Sequence, residues 1–165
     1  MSAILIKEEI SARIAQVRGL YYQLVLLVAP SGSGKTRILQ ELAGQEGYHY
    51  INVNLELSRR LLDLSRRQRA LHTPRLLAAI LQDKGARVYL LDNLEILFDP
   101  ALQQDPLRLL QGLARDRTIV AAWNGFLEKG RLIYAEPGHP EYRRYPVDNL
   151  TIVTTGNQIG PEPGI

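Results

Sequence analysis

Near the start of the chain apolar side chains recur at Ile6, Ile10, Ile14 and Val17, at spacings of four, four and three. A helix turns once in about 3.6 residues, so this spacing puts all of them on one stripe. It predicts a helix over residues 4–18, inside an N-terminal segment 1–19 that Gly19 closes. The pattern then changes to a continuous apolar run, Leu24 to Ala29 (LVLLVA), bounded by Pro30. Runs of this kind form strands covered on both faces of a parallel sheet. Residues 36–43 predict a helix that stops near Gly44 and Gly47. Tyr48 to Leu55 (YHYINVNL) places tyrosine, isoleucine and valine in alternation and predicts a second strand.

Two helices are expected over 57–71 and 74–83, separated at Thr73-Pro74 because proline suits a first helical turn. Leu61, Leu62, Leu64 and Leu71 are expected to face inward. Gly85 closes the second helix, and Arg87 to Leu91 (RVYLL) predicts a third strand ending on Asp92. Residues 101–114 read as a helix, and Thr118 to Trp123 (TIVAAW) as a fourth strand ending at Asn124. Leu132 to Ala135 and Thr151 to Thr155 are short strands. The stretch 136–149 between them reads as irregular, and 157–165 as a mobile tail. Strands alternating with helices predict an α/β domain over 1–165, three-layered, with a mainly parallel central sheet of about five strands. No length remains for a C-terminal helical lid.

Composition narrows the chemistry. The chain has 165 residues, 45% hydrophobic and 22% charged, a balance that permits a packed core and excludes a disordered chain. It has no cysteine, so disulfides, thiol catalysis and zinc–thiolate sites are excluded. No run approaches the roughly 20 apolar residues of a membrane helix, so no membrane partner is expected. Lys7, Glu8 and Glu9 stand where a signal peptide needs apolar residues, and a cytoplasmic location is expected. The net charge of +3 permits nucleic-acid contact without requiring it.

The strongest local signal is Ala29 to Thr36 (APSGSGKT), a Walker A pattern with alanine at a first position more often held by glycine. A buried strand precedes it and a helix follows, the context that a phosphate loop needs. Gly32 and Gly34 let the backbone curl until its N–H groups converge. The cradle is expected to run through Pro30, Ser31, Gly32, Ser33, Gly34, Lys35, Thr36 and Arg37, at the positive end of the following helix. Lys35 carries a charge to the β- and γ-phosphates, and the Thr36 hydroxyl is a ligand for Mg²⁺. Asp92, closing the apolar strand RVYLLD, fits the Walker B acid that holds the same ion. The expected cofactors are ATP and Mg²⁺; no N-K-x-D-like guanine signature is present.

A single strand separates the two motifs along the chain. That arrangement resembles the additional-strand class of P-loop ATPases, which includes the AAA+ and RecA-like families. Many members place a water-activating glutamate directly after the Walker B aspartate, where this chain has Asn93. Two carboxylates remain as candidates, Glu95 in the run DNLE and Glu56 after the second strand. Asn124 occupies the position at which AAA+ proteins sense the γ-phosphate, although asparagine before Gly125 also suits a plain turn.

Arg59, Arg60, Arg66, Arg67, Arg69 and Arg75 cluster with Asp63 as the single acid among them. A helix carrying Arg59, Arg66 and Arg67 on one face would serve as a groove for DNA phosphates, as an arginine finger for a neighbouring copy in a homo-oligomer, or as a solvated face. His139 and Glu141 lack a third ligand and make no metal site.

Together with the length and the phosphate loop, Leu90 to Glu95 (LLDNLE), Trp123 to Gly125 (WNG), Leu132 to Glu136 (LIYAE) and His139 to Tyr142 (HPEY) carry a resemblance to a family. The chain resembles BrxF, the small P-loop protein of type 3 BREX bacteriophage-exclusion systems. Membership implies a bacterial cytoplasmic protein of a multi-component phage-defence system. It also implies other BREX components as partners, among them a DNA methyltransferase, a larger ATPase and an alkaline-phosphatase-like protein. Two further readings stay open: an adaptor that binds ATP with little hydrolysis, and a small-molecule kinase. The intervening strand argues against the kinase.

Overall fold

The computed structural model describes residues 2–135 and 139–155. The expected tail 157–165, and Glu136 of the LIYAE run, lie outside the described residues. Helix α1 (Ala3–Val17) is followed by β1 (Leu24–Ala29), α2 (Lys35–Leu42), β2 (Tyr48–Asn52), α3 (Val53–Leu61), α4 (Arg66–Lys84) and β3 (Val88–Asp92). Two 3-10 turns (Leu94–Phe98 and Pro100–Leu102) lead to α5 (Pro106–Leu113), then β4 (Thr118–Glu128), β5 (Arg131–Tyr134), β6 (Arg143–Pro146) and β7 (Thr151–Thr154).

The fold is α/β with a mostly parallel sheet. Its main path runs β2-β3-β4-β1-β7, with every neighbouring pair parallel. β4 therefore lies between β1 and β3. β2, the strand that separates the two motifs along the chain, lies instead at the edge beside β3. Alternation along each strand divides the core into two layers. Val25, Leu27, Val88, Leu90, Val120 and Ala122 pack on one face with Ile6, Ile10, Ile14 and Val17 of α1 and Ile38, Leu39 and Leu42 of α2. Leu26, Val28, Tyr89, Leu91, Ile119 and Ala121 pack on the other with α3, α4 and α5. β1, β3 and the first half of β4 are covered on both sides, which is why their sequences read as unbroken apolar runs. No helix among the described residues is long and apolar enough to cross a membrane.

Several boundaries depart from expectation. β2 stops at Asn52, not Leu55, because the Asn52 side chain accepts the Leu55 N–H at 3.0 Å and starts α3 at once. The helix break falls at Ser65, not at Thr73-Pro74. Ser65 and Gln68 form a reciprocal capping box there. Pro74 then sits inside α4, where it lacks the N–H that would meet the Ala70 carbonyl. Gln104 Nε2 donates to that carbonyl at 2.9 Å in its place. The expected helix 101–114 is split, since Asp105 caps a new start at Pro106. Leu61 is buried, but Leu62 and Leu71 are each 70% exposed, so those two do not face inward. They lie beside the α3–α4 turn, outside the apolar stripes of either helix.

β4 does not end at Asn124. It continues to Glu128 and turns back into β5, and β6 extends this antiparallel ribbon through the stretch expected to be irregular. The ribbon closes over an aromatic cluster. Phe98 stacks on Tyr134 at a centroid distance of 3.5 Å, and Trp123 meets Phe98, Tyr134 and Tyr145 edge-on. Trp123 Nε1 donates to the Ile133 carbonyl at 3.1 Å. A β-carbon on Gly125 would lie 1.9 Å from the same oxygen, so only glycine fits at that position.

Candidate functional site

Parallel strands deliver their carboxyl ends to one edge of the sheet, and ligands of open α/β sheets bind outside that edge. Register here aligns Ala29 with Asn124 and Asn52 with Asp92. Beyond β1 the chain turns through Gly32 (φ 79°) and Gly34 (φ 96°), left-handed conformations that favour glycine. Gly34 is the N-cap of α2 and supplies no side-chain cap, so the first amides of that helix are left for a ligand.

Lys35 is 5% exposed. Its ammonium donates to the carbonyls of Ala29 and Pro30, both at 2.7 Å. Burial lowers its pKa to about 8, against the opposing pull of the Asp92 and Glu95 carboxylates. Ser33 Oγ also donates to the Pro30 carbonyl, at 2.6 Å, which tightens the loop.

Thr36 Oγ1 donates to Asp92 Oδ2 at 2.6 Å, bringing the ends of the two motifs into contact. The hydroxyl of Tyr50 donates to the same carboxylate oxygen at 2.7 Å. Burial, then the hydrogen bond and charge of Asp92, push the Tyr50 phenol well above its ordinary range. The other oxygen of Asp92 stays available to a cation. Threonine hydroxyl and carboxylate are the hard oxygen donors that Mg²⁺ takes alongside phosphate oxygens and water. No group of three or more His, Asp or Glu that would hold a metal ion exists among the described residues.

Asn93 adopts a left-handed conformation (φ 56°) and opens the 3-10 turn that carries Glu95. Asn124 Nδ2 donates to Glu95 Oε1, so the carboxylate from the turn and the amide from β4 meet. Ser31, Gly32, Gly34, Lys35, Thr36, Asp92, Asn93, Glu95 and Asn124 line one cleft of about 220 Å³. A second cleft of about 500 Å³ adjoins the loop, between Ile4 and Lys7 of α1 and Ser33, Gly34 and Arg37.

Other candidates lie elsewhere. Glu56 follows β2 as expected, on the first turn of α3, and its carboxylate pairs with Arg60 at 3.3 Å and Arg59 at 3.9 Å. Arg37 points away from the small cleft and pairs with Glu41 at 3.0 Å. The hydrogen bond from Lys7, and next that from Arg37, hold the Glu41 carboxyl below its ordinary range. Arg59 and Arg60 are on α3, while Arg66, Arg67 and Arg69 are on α4, so the expected single arginine face does not form. Arg60 also reaches Asp83 at 3.5 Å. Arg69 caps the end of α3 by donating to the carbonyls of Leu64 and Leu62. Arg59, Arg66 and Arg67 remain exposed.

Tyr50 is the site residue that sequence reasoning missed. Its signal was the alternation along β2, which turns Tyr50 toward α2 and away from the Ile51 face.

No protein-family model matches the chain, and no curated protein matches it. Among solved structures, that of C. elegans PCH-2 is similar over 96% of this chain at 16% identity, with a TM-score of 0.49. The chain spans 43% of that protein.

Proposed function

We propose that this protein binds ATP with Mg²⁺ and hydrolyses it slowly. The supporting observation is the contact between Thr36 and Asp92 in a cleft that Lys35, Glu95 and Asn124 also line. The loop amides and the start of α2 receive the phosphates. Lys35 leaves the carbonyls of Ala29 and Pro30 to meet the β- and γ-phosphates. Thr36 and Asp92 hold the ion, which when bound would neutralise charge on the phosphate oxygens. The second cleft, beside Lys7 and Arg37, is the seat for the base and ribose.

Glu95 accepts a hydrogen bond from the attacking water and takes its proton as the water oxygen bonds to the γ-phosphorus. The bond from that phosphorus to the β–γ bridging oxygen breaks, and ADP and phosphate leave. Asn124 orients Glu95 for this task. Glu56, held by two arginines, is the weaker candidate. The resemblance to BrxF supplies a setting: a bacterial cytoplasmic component of phage defence, acting with other BREX components and with DNA met by the exposed Arg59, Arg66 and Arg67.

Phosphate release by purified protein tests the reading. Lys35→Ala and Asp92→Ala are expected to abolish it, Glu95→Gln to lower it about a hundredfold, and Glu56→Gln to leave it within about twofold. The reverse ranking of the two glutamates would reassign the base. The second reading, a nucleotide-sensing adaptor, is favoured by Asn93, which stands directly after Asp92 where many members of the class carry the water-activating glutamate. Tight ATP binding with no phosphate release in any background would select it.

A further inference from the structure

Beside the α3–α4 turn lies an apolar surface with an arginine rim that the nucleotide cleft does not use. Two clefts meet there at Arg66. One, of about 400 Å³, has Leu61, Leu64, Ile96 and Leu102 in its lining and Leu62 on its wall. The other, of about 620 Å³, is bounded by Arg67, Ala70, Leu71 and Gln103. Neither Arg66 nor Arg67 takes part in a salt bridge among the described residues. Phosphates would satisfy the guanidinium groups but leave the leucines bare. A surface that mixes exposed leucine with unpaired arginine fits a polypeptide carrying aliphatic and carboxylate side chains.

The chain itself presents such a segment. On α1 the stripe Ile6, Ile10, Ile14 and Val17 is buried against the sheet. The opposite face exposes Ile4 (64%), which also borders the cleft beside Lys7, and Leu5 (53%), followed by exposed Glu8 and Ala12. Ile4, Glu8 and Ala12 follow one another at helical spacing, so the outward face is a second stripe, apolar at its start and acidic one turn on.

We propose that a second copy of this chain is the occupant. The outer face of α1 from one copy lies along the α3–α4 clefts of the next. Ile4 and Leu5 meet Leu62 and Leu71, and Glu8 meets Arg66 and Arg67. The two surfaces are unlike and belong to opposite layers of the sheet. The contact is therefore head-to-tail, and each copy added leaves one helix and one cleft open. The 3-10 turn that places Ile96 in the cleft lining also carries Glu95, so the neighbour would abut the wall of the nucleotide cleft.

Sedimentation velocity of the full chain, without nucleotide, tests this independently of any hydrolysis. The expected mass rises above the monomer with concentration and falls as salt is raised. Leu62→Asp with Leu71→Asp removes the cleft surface, and Ile4→Asp with Leu5→Asp removes the helix surface. All four side chains are exposed, so both double variants are expected to keep the wild-type circular dichroism and remain monomeric. Mixed in equal amounts, they should form a one-to-one dimer and stop there, because the mixture holds a single intact pair of surfaces. Glu8→Arg should weaken association, and Arg66→Glu with Arg67→Glu on the other copy should restore it. A wild-type chain that is monomeric at every concentration overturns the proposal. So does a mixture that stays monomeric, or association that survives both double substitutions. A monomer that retains duplex DNA and loses it in Arg66→Glu with Arg67→Glu would give the surface to nucleic acid instead.

Discussion

Lys35 has its ammonium folded back onto two carbonyls of its own loop, in a place where burial keeps its pKa near 8. A triphosphate beside it favours the charged form and returns the pKa toward or above the ordinary 10.5. Between those values the free protein holds fewer protons than the bound one. Affinity for Mg–ATP is therefore expected to be level below about pH 8 and to fall above it, by up to about tenfold per pH unit. Calorimetry at about pH 9, in buffers of different ionisation enthalpy, should read uptake of close to one proton on binding. Zero uptake there would show that the lysine is already charged in the free protein. For folding the sign is the opposite. The unfolded chain holds the extra proton between pH 8 and 10.5, so the contribution of Lys35 to stability rises across that window and is unfavourable below it. Tyr50 acts on the neighbouring group. Its hydroxyl is one of two donors on Asp92 Oδ2, and Tyr50→Phe removes about 1 kcal/mol of orientation. The variant should need about fivefold more Mg²⁺ for the same nucleotide affinity, with metal-free nucleotide binding unchanged. An unaltered Mg²⁺ titration would deny Tyr50 that role.

Among the elements, α1, β1 and β3 were legible because their patterns are local and unambiguous. Ile6, Ile10, Ile14 and Val17 are buried as their spacing demands, and the runs LVLLVA and VYLLD are covered on both faces. Pro74 misled because a proline is read as a boundary from its own chemistry, whereas the missing hydrogen bond is replaced from thirty-four residues away by Gln104. Leu62 and Leu71 misled because the true break at Ser65 sets the rotation of α3 and α4 independently. β6 was unreadable from its own residues, Arg143–Pro146, since what makes it a strand is the β5 edge beside it. The Gln104 contact gives a test at this scale. Gln104→Ala is expected to cost about 1–2 kcal/mol of unfolding free energy, the cost of leaving the Ala70 carbonyl unmet. Pro74→Ala restores the N–H that this carbonyl lacks. In that background the same Gln104→Ala change should cost about 1 kcal/mol less, as read from a denaturant double-mutant cycle. Strictly additive costs would mean that Gln104 serves Pro74 in no way.

At the scale of the whole molecule, the cleft draws on stretches that are distant in sequence: the loop after β1, the end of β3 with its 3-10 turn, and β4, with Tyr50 of β2 behind Asp92. The turn through Gly32 and Gly34 into α2 was legible because its pattern is contained in consecutive residues. The meeting of Glu95 with Asn124 was not, because it depends on β4 lying between β1 and β3, an order that no local pattern carries. Tyr50 was hidden for the same reason: its hydroxyl reaches Asp92 only because β2 pairs with β3, which sets Asn52, two residues on, opposite Asp92. A ligand held by groups from separate strands binds the folded sheet and not the unfolded chain, so it must stabilise the fold as a whole. At a free concentration about a hundred times its Kd, Mg–ATP should add about 2.7 kcal/mol, which for a chain of this size raises Tm by several degrees. The shift should vanish in Lys35→Ala. In Asp92→Ala it should shrink to the value seen for wild type without Mg²⁺, because that variant keeps the loop amides and loses the ion. A wild-type Tm indifferent to nucleotide would mean that these stretches assemble around nothing, and the cleft would have to be read as a structural seam between β1, β3 and β4.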